Sequence, residues 1–132
     1  MKEFDHKDEW RLSGNNFLVT VTRHTVNIPE EYNFNILGQN RWAVYAYIYP
    51  EHKLFTLFDE SVIYQDASRD LPLHAGPSFL KFHYDKHGEK LSVQVGTDYN
   101  HLYDDQFSYY VTKDEASKVF NDAIELFEHL SK

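Results

Sequence analysis

No cysteine occurs among the 132 residues. That absence excludes a disulfide scaffold, thiolate catalysis, cysteine-ligated zinc fingers and iron–sulfur clusters, and it suits a reducing compartment. Long apolar runs are missing too. The first ten residues carry six charges, so neither a signal peptide nor a membrane anchor is expected there, and the cytoplasm is the expected location. There is no glycine-rich phosphate loop, no dinucleotide fingerprint and no Gly-x-Ser-x-Gly elbow, so no cofactor is expected. Basic residues are in short supply, with 13 Lys and Arg against 21 Asp and Glu and a net charge of −8. Nucleic acids and anionic membranes are bound through cationic surface that displaces counterions, so direct binding to either is disfavoured. Repeats, low-complexity runs and linker-like shifts in composition are also absent, which leaves a single domain over 1–132.

What is there is apolar and aromatic. Hydrophobic residues make up 42% and aromatics 17%, enough buried surface to offset chain entropy, so the chain is expected to fold. Segments rich in β-branched and aromatic residues and bounded by Gly, Pro, Asn or Asp predict strands over Phe17 to Thr25, Trp42 to Tyr49, Ser78 to Tyr84 and Lys90 to Gly96. A short strand over Glu9–Leu12 and an edge strand over Phe107 to Val111 are added. Asp85-Lys86-His87-Gly88 and Ser13-Gly14-Asn15-Asn16 read as hairpin connections. Pro50 followed by Leu54, Phe55, Leu57 and Phe58 allows a short helix. Thr112 with Glu115 three residues on forms a capping box opening a helix to about Leu130, with Ala116, Val119, Phe120, Ala123, Leu126, Phe127 and Leu130 on one stripe. The expected architecture is α+β: a mainly antiparallel sheet of four to six strands with the C-terminal α-helix packed on one face.

Alternation divides that sheet into two faces. One would carry Phe17, Val19, Val21, Trp42, Val44, Ala46, Ile48, Leu80, Phe82, Leu91, Val93 and Val95 under the helix. Trp42, Val44, Phe82, Val93, Phe120 and Phe127 are expected in the core. The other face would carry Thr20, Thr22, His24, Tyr45, Tyr47, Tyr49, Lys81, His83, Ser92 and Gln94. Such a face is either plain solvent-exposed sheet or a recognition surface, because Tyr offers large amphipathic area at small entropic cost. Its aromatic content predicts a cover: the long segment from Val26 to Arg41, a second copy of the chain, or a partner.

Two groups of residues could carry function. From Asp98 to Lys132 eight acidic residues face three lysines, a local charge of −5. Concentrated negative charge steers basic partners, although acidic surface also serves solubility alone. The eight histidines include no His-x-x-x-His on a predicted helix, so no metal site is expected. The stretch Asp98-Tyr99-Asn100-His101-Leu102-Tyr103-Asp104-Asp105 is dense enough to hold a cation or simply to build turns. His74 lies in the tight loop Leu73-His74-Ala75-Gly76-Pro77-Ser78. With His101 and Asp98 it could support acid–base chemistry, since imidazole titrates near neutrality.

The segments Trp42-Ala-Val-Tyr-Ala-Tyr-Ile-Tyr-Pro50, Leu73-His-Ala-Gly-Pro-Ser-Phe79 and Val95-Gly-Thr-Asp-Tyr-Asn-His-Leu-Tyr-Asp104 are similar to small phage- and prophage-encoded proteins to which no activity is attached. The resemblance spans about the middle two-thirds of the chain. It implies a small phage product, a kind that often blocks a host machine such as a bacterial defence complex, and it assigns no residue a role.

The first functional expectation is therefore a non-enzymatic acidic binding protein, an anti-CRISPR-like inhibitor presenting Tyr45, Tyr47, His83, Asp104, Asp105, Glu125 and Glu128 to a host protein with a basic surface. The alternative is a small hydrolase or ligand-binding domain using His74, His83, Asp98 and His101, with or without a metal. A structural or assembly component forming a symmetric oligomer, such as a homodimer, is the third.

Overall fold

Alternation along the chain becomes a five-stranded sheet in a computed structural model that describes residues 4–26, 38–59, 69–100 and 104–132. Strands β1 (Phe4–Ser13), β2 (Phe17–Val26), β3 (Asn40–Ile48), β4 (Phe79–Tyr84) and β5 (Lys90–Asp98) take the order β1-β2-β3-β5-β4. Every neighbouring pair is antiparallel. Helix α1 (Ser117–Leu130) packs its Val119, Ala123, Leu126 and Leu130 stripe over β2 and β3. This is the expected α+β fold with a C-terminal helix. Among the described residues no helix is long and apolar enough to cross a membrane.

The connections follow local chemistry. In the β1–β2 hairpin Asn16, not Gly14, takes the left-handed conformation at φ 68°, which asparagine tolerates better than most residues. Gly14 is needed for another reason: the Phe17 ring occupies the space a Cβ there would enter. The β4–β5 hairpin turns through Gly88 at φ 84°, and the Asp85 carboxylate accepts the His87 and Glu89 amides at 2.8 and 3.0 Å. The capping box forms as expected, with the Glu115 amide donating to the Thr112 hydroxyl at 3.2 Å and the Thr112 amide donating back to Glu115 at 3.1 Å. It closes a leading turn, however, and regular α-helix starts only at Ser117.

Three expectations are corrected. The segment expected as an edge strand, Phe107 to Val111, instead enters a 3-10 helix over Asp105–Tyr109. A 3-10 turn brings residues three apart to one side, and here Phe107 and Tyr110 meet at 5.7 Å while Ser108 closes the turn onto the Asp105 carbonyl. The helix expected after Pro50 shrinks to one 3-10 turn at Phe55–Leu57. There His52 is buried with both ring nitrogens engaged: the Leu54 amide donates to Nδ1 at 3.1 Å, so Nε2–H donates to the Leu130 carbonyl at 2.9 Å and fastens the end of α1. Leu91, assigned to the core, is 50% exposed because the ladder skips it where the register shifts between His83 and Tyr84.

The core lies between α1 and the sheet, with Trp42, Val44 and Val93 fully inside and Phe82, Phe120 and Phe127 partly buried at its margin. On the opposite face, Thr20 and Thr22 are only 1% and 3% exposed, where open solvent was the simplest expectation. The segment expected to cover them falls largely on residues 27–37, outside those described.

Candidate functional site

Where β5 runs out beyond the sheet, four parts of the chain converge: the end of that strand, the turn before β4, the start of the 3-10 helix, and α1. The Tyr99 amide donates to the Trp42 carbonyl at 2.9 Å, which continues β5 alongside β3 and directs the Tyr99 ring inward. On that ring lies His74, stacked with centroids 4.4 Å apart and planes 13° from parallel. The Phe107 ring meets the imidazole edge-on at 5.7 Å. Asp104, immediately before the 3-10 helix, receives the His74 Nε2–H between its two carboxylate oxygens, each 2.9 Å away. The Thr97 hydroxyl donates to the His74 carbonyl at 2.7 Å and fixes the backbone of the same residue. One imidazole is thus oriented by a carboxylate, two aromatic rings and a backbone anchor.

The turn carrying it is conformationally costly. Ala75 sits at φ 56°, a left-handed position that penalises a residue with a Cβ, and Gly76 follows at φ 82°. Strain of that kind persists where the surrounding contacts impose it. Here the Asp104, Tyr99 and Thr97 contacts hold His74 on one side, and the Gly76 amide returns to the Leu73 carbonyl on the other.

A cavity of about 330 Å³ opens beside this turn, lined by Arg69, Leu73, His74, Lys118, Asp122 and Glu125 among others. Its charges are mixed. Asp122 accepts the Tyr99 hydroxyl at 2.6 Å and the Lys118 ammonium at 2.7 Å. Burial first, then this hydrogen bond and the charges of Asp122 and Asp104, push the Tyr99 phenol far above its ordinary range. A raised phenol pKa means that the folded state binds the proton more tightly than the unfolded state. The stabilisation is complete below the free-tyrosine value of about 10 and is lost as pH rises above it. Alkaline titration followed at 295 nm is expected to show Tyr99 ionising only with unfolding, and Tyr99→Phe is expected to move the alkaline transition upward. A Tyr99 signal titrating freely near 10 in the folded protein would contradict this.

The other anticipated residues are dispersed. Asp104 is buried at His74, so it does not belong to the outward acidic surface to which the sequence reading assigned it; a carboxylate gripping an imidazole must face inward. Asp105, Glu125 and Glu128 are exposed. Tyr45, Tyr47 and His83 lie half-buried on the sheet face away from α1. His83 shares a 2.8 Å hydrogen bond with the Gln94 side-chain oxygen, and its ring lies 6.1 Å from that of Tyr47. Burial raises the phenols of Tyr45 and Tyr47. Asp98 accepts the Asn100 amide at 3.0 Å, an ordinary turn contact. His101 lies outside the described residues. No group of three or more His, Asp or Glu suited to a metal ion occurs among the described residues.

Sequence reading named His74 without its partner. Asp104 is 30 positions away, Tyr99 falls in a stretch rich in turn residues, and Lys118 and Asp122 lie off the apolar stripe of the helix. The only local signal was the dense polar stretch from Asp98 to Asp105. Comparison with protein-family models, curated proteins and solved structures finds no match.

Proposed function

We propose that the chain binds a small polar ligand in the cavity at His74 and exchanges a proton with it through the imidazole. The observation that carries this reading is the His74–Asp104 pair. A buried carboxylate holds the Nε2–H and fixes the orientation of the ring, as orienting carboxylates do for acid–base histidines. Strain at Ala75 and the adjoining cavity support the same place, since binding sites concentrate at strained loops on rigid scaffolds. The lining, with Arg69 and Lys118 against Asp122 and Glu125, favours a ligand bearing both donors and acceptors.

The test is a screen of small polar compounds watched by amide and imidazole NMR. Shifts are expected to centre on His74, Gly76, Lys118 and Glu125, and His74→Gln is expected to remove them while leaving the fold intact. Shifts that cluster elsewhere, or that survive His74→Gln, would overturn the reading.

A second reading is the acidic binding protein, acting on a basic host protein in the manner of phage-encoded inhibitors of defence complexes. It is supported by the exposed carboxylates of Asp105, Glu125 and Glu128. Charge reversal at Asp105 and Glu128, which lie outside the cavity lining, separates the two: it is expected to abolish low-salt capture of a basic partner and to leave small-ligand shifts unchanged.

A further inference from the structure

The geometry points to a symmetric dimer in which β1 pairs with β1 of a second copy, antiparallel and centred on Trp10. β1 spans ten residues at one edge of the sheet, and among the described residues it pairs with β2 alone. The Gly14 amide donates to the Phe17 carbonyl, which sets the phase of the ladder. Alternate residues from Leu12 back to Asp8 direct their backbone groups at β2, while Ser13, Arg11, Glu9 and Lys7 direct theirs away from it. An open row of donors and acceptors of this length is a template for another strand. The opposite edge is poorer: β4 has six residues, a register shift between His83 and Tyr84, and an exposed Lys81.

Charged residues on an edge strand usually repel a second copy, so the pattern of charge decides the case. Glu9 and Arg11 already meet within one chain at 2.7 Å. A two-fold axis through Trp10 places each Glu9 opposite the Arg11 of the other copy, twice, so the edge is complementary to itself in this register. The neighbouring registers that the same phase allows, centred on Glu9 or on Arg11, would set that residue opposite its own copy, like charge against like. On the helix side the same axis brings together the two Trp10 residues and the apolar groove of about 190 Å³ that Trp10 and Leu12 line with Phe120 and Ile124. Leu12 and Ile124 are 39% and 48% exposed in the single chain and would be covered. The occupant of this edge is therefore a second copy of the same chain rather than an unlike partner.

Sedimentation velocity and light scattering at low salt test the assignment with three variants. The unaltered chain is expected at twice the monomer mass. Glu9→Arg and Arg11→Glu are each expected to weaken the dimer by about tenfold or more, because each sets like charges opposite one another. The double variant Glu9→Arg with Arg11→Glu restores opposite charges and is expected to recover the dimer. Circular dichroism checks that each variant is folded, and both positions are exposed. A monomeric unaltered chain, single variants that dimerise equally well, or a double variant no better than the singles would each overturn the proposal.

Discussion

Replacing Trp42 by alanine is expected to cost about 4 kcal/mol, a large part of the roughly 5–15 kcal/mol that holds a domain of this size together. The indole is 1% exposed, stacked on Trp10 at 5.7 Å and met edge-on by Phe120 at 5.8 Å, so truncation opens a void between β3 and α1. It also removes the Nε1–H that donates to the Tyr110 carbonyl at 3.1 Å, the bond that holds the segment leaving the 3-10 helix against the sheet. Trp42→Phe separates the two contributions. It keeps a ring in the slot but leaves the carbonyl without its donor, and about 1–2 kcal/mol is expected. Urea titration by circular dichroism measures both. If the two substitutions cost the same, the hydrogen bond to Tyr110 rather than ring packing is what Trp42 contributes to the core.

Trp42 also shows why the fold was legible. Its position on an alternating run, between Arg41 and Ala43, puts it on the inner face, and β-branched and aromatic composition between turn residues places four of the five strands to within a few residues. Helix α1 was legible from its apolar stripe and its capping box. The site was not, because its parts obey no period. His74 and Asp104 sit in turns, and turns are specified by hydrogen bonds to whatever lies nearby in space. The 3-10 helix at Asp105–Tyr109 was misread for a related reason: Phe107, Tyr109 and Val111 alternate as a strand would, but Phe107 and Tyr110, three apart, are the pair that packs. Thr20 and Thr22 mark the same limit on the sheet, since a polar residue on the face away from the helix says nothing of what lies over it.

Gly96 is where the sheet and the site are most tightly joined, and Gly96→Ala is expected to cost about 3 kcal/mol or more, a fall of roughly 10 °C in Tm. A Cβ there would overlap the Val44 carbonyl oxygen and the Tyr45 ring, and would stand 3.0 Å from the Tyr45 Cα. Tyr45 lies over this bare stretch of β5 and meets Phe79 at 5.2 Å, so the aromatic residue chosen from sequence for recognition is also one that fills the space glycine leaves. Two strands and a ring would have to move apart together. The neighbours of Gly96 carry the strain toward the site: its carbonyl accepts the Ser78 amide at 2.9 Å, and Thr97 is the residue whose hydroxyl anchors His74. Gly96→Ala is therefore expected to disturb the His74 imidazole resonances as well as the melting temperature. Adding Tyr45→Ser relieves the ring but not the carbonyl, so the double variant is expected to stay well below the unaltered chain in stability. Full recovery on removing the tyrosine would show instead that the ring alone demands the glycine, and that β3 and β5 have room to spare.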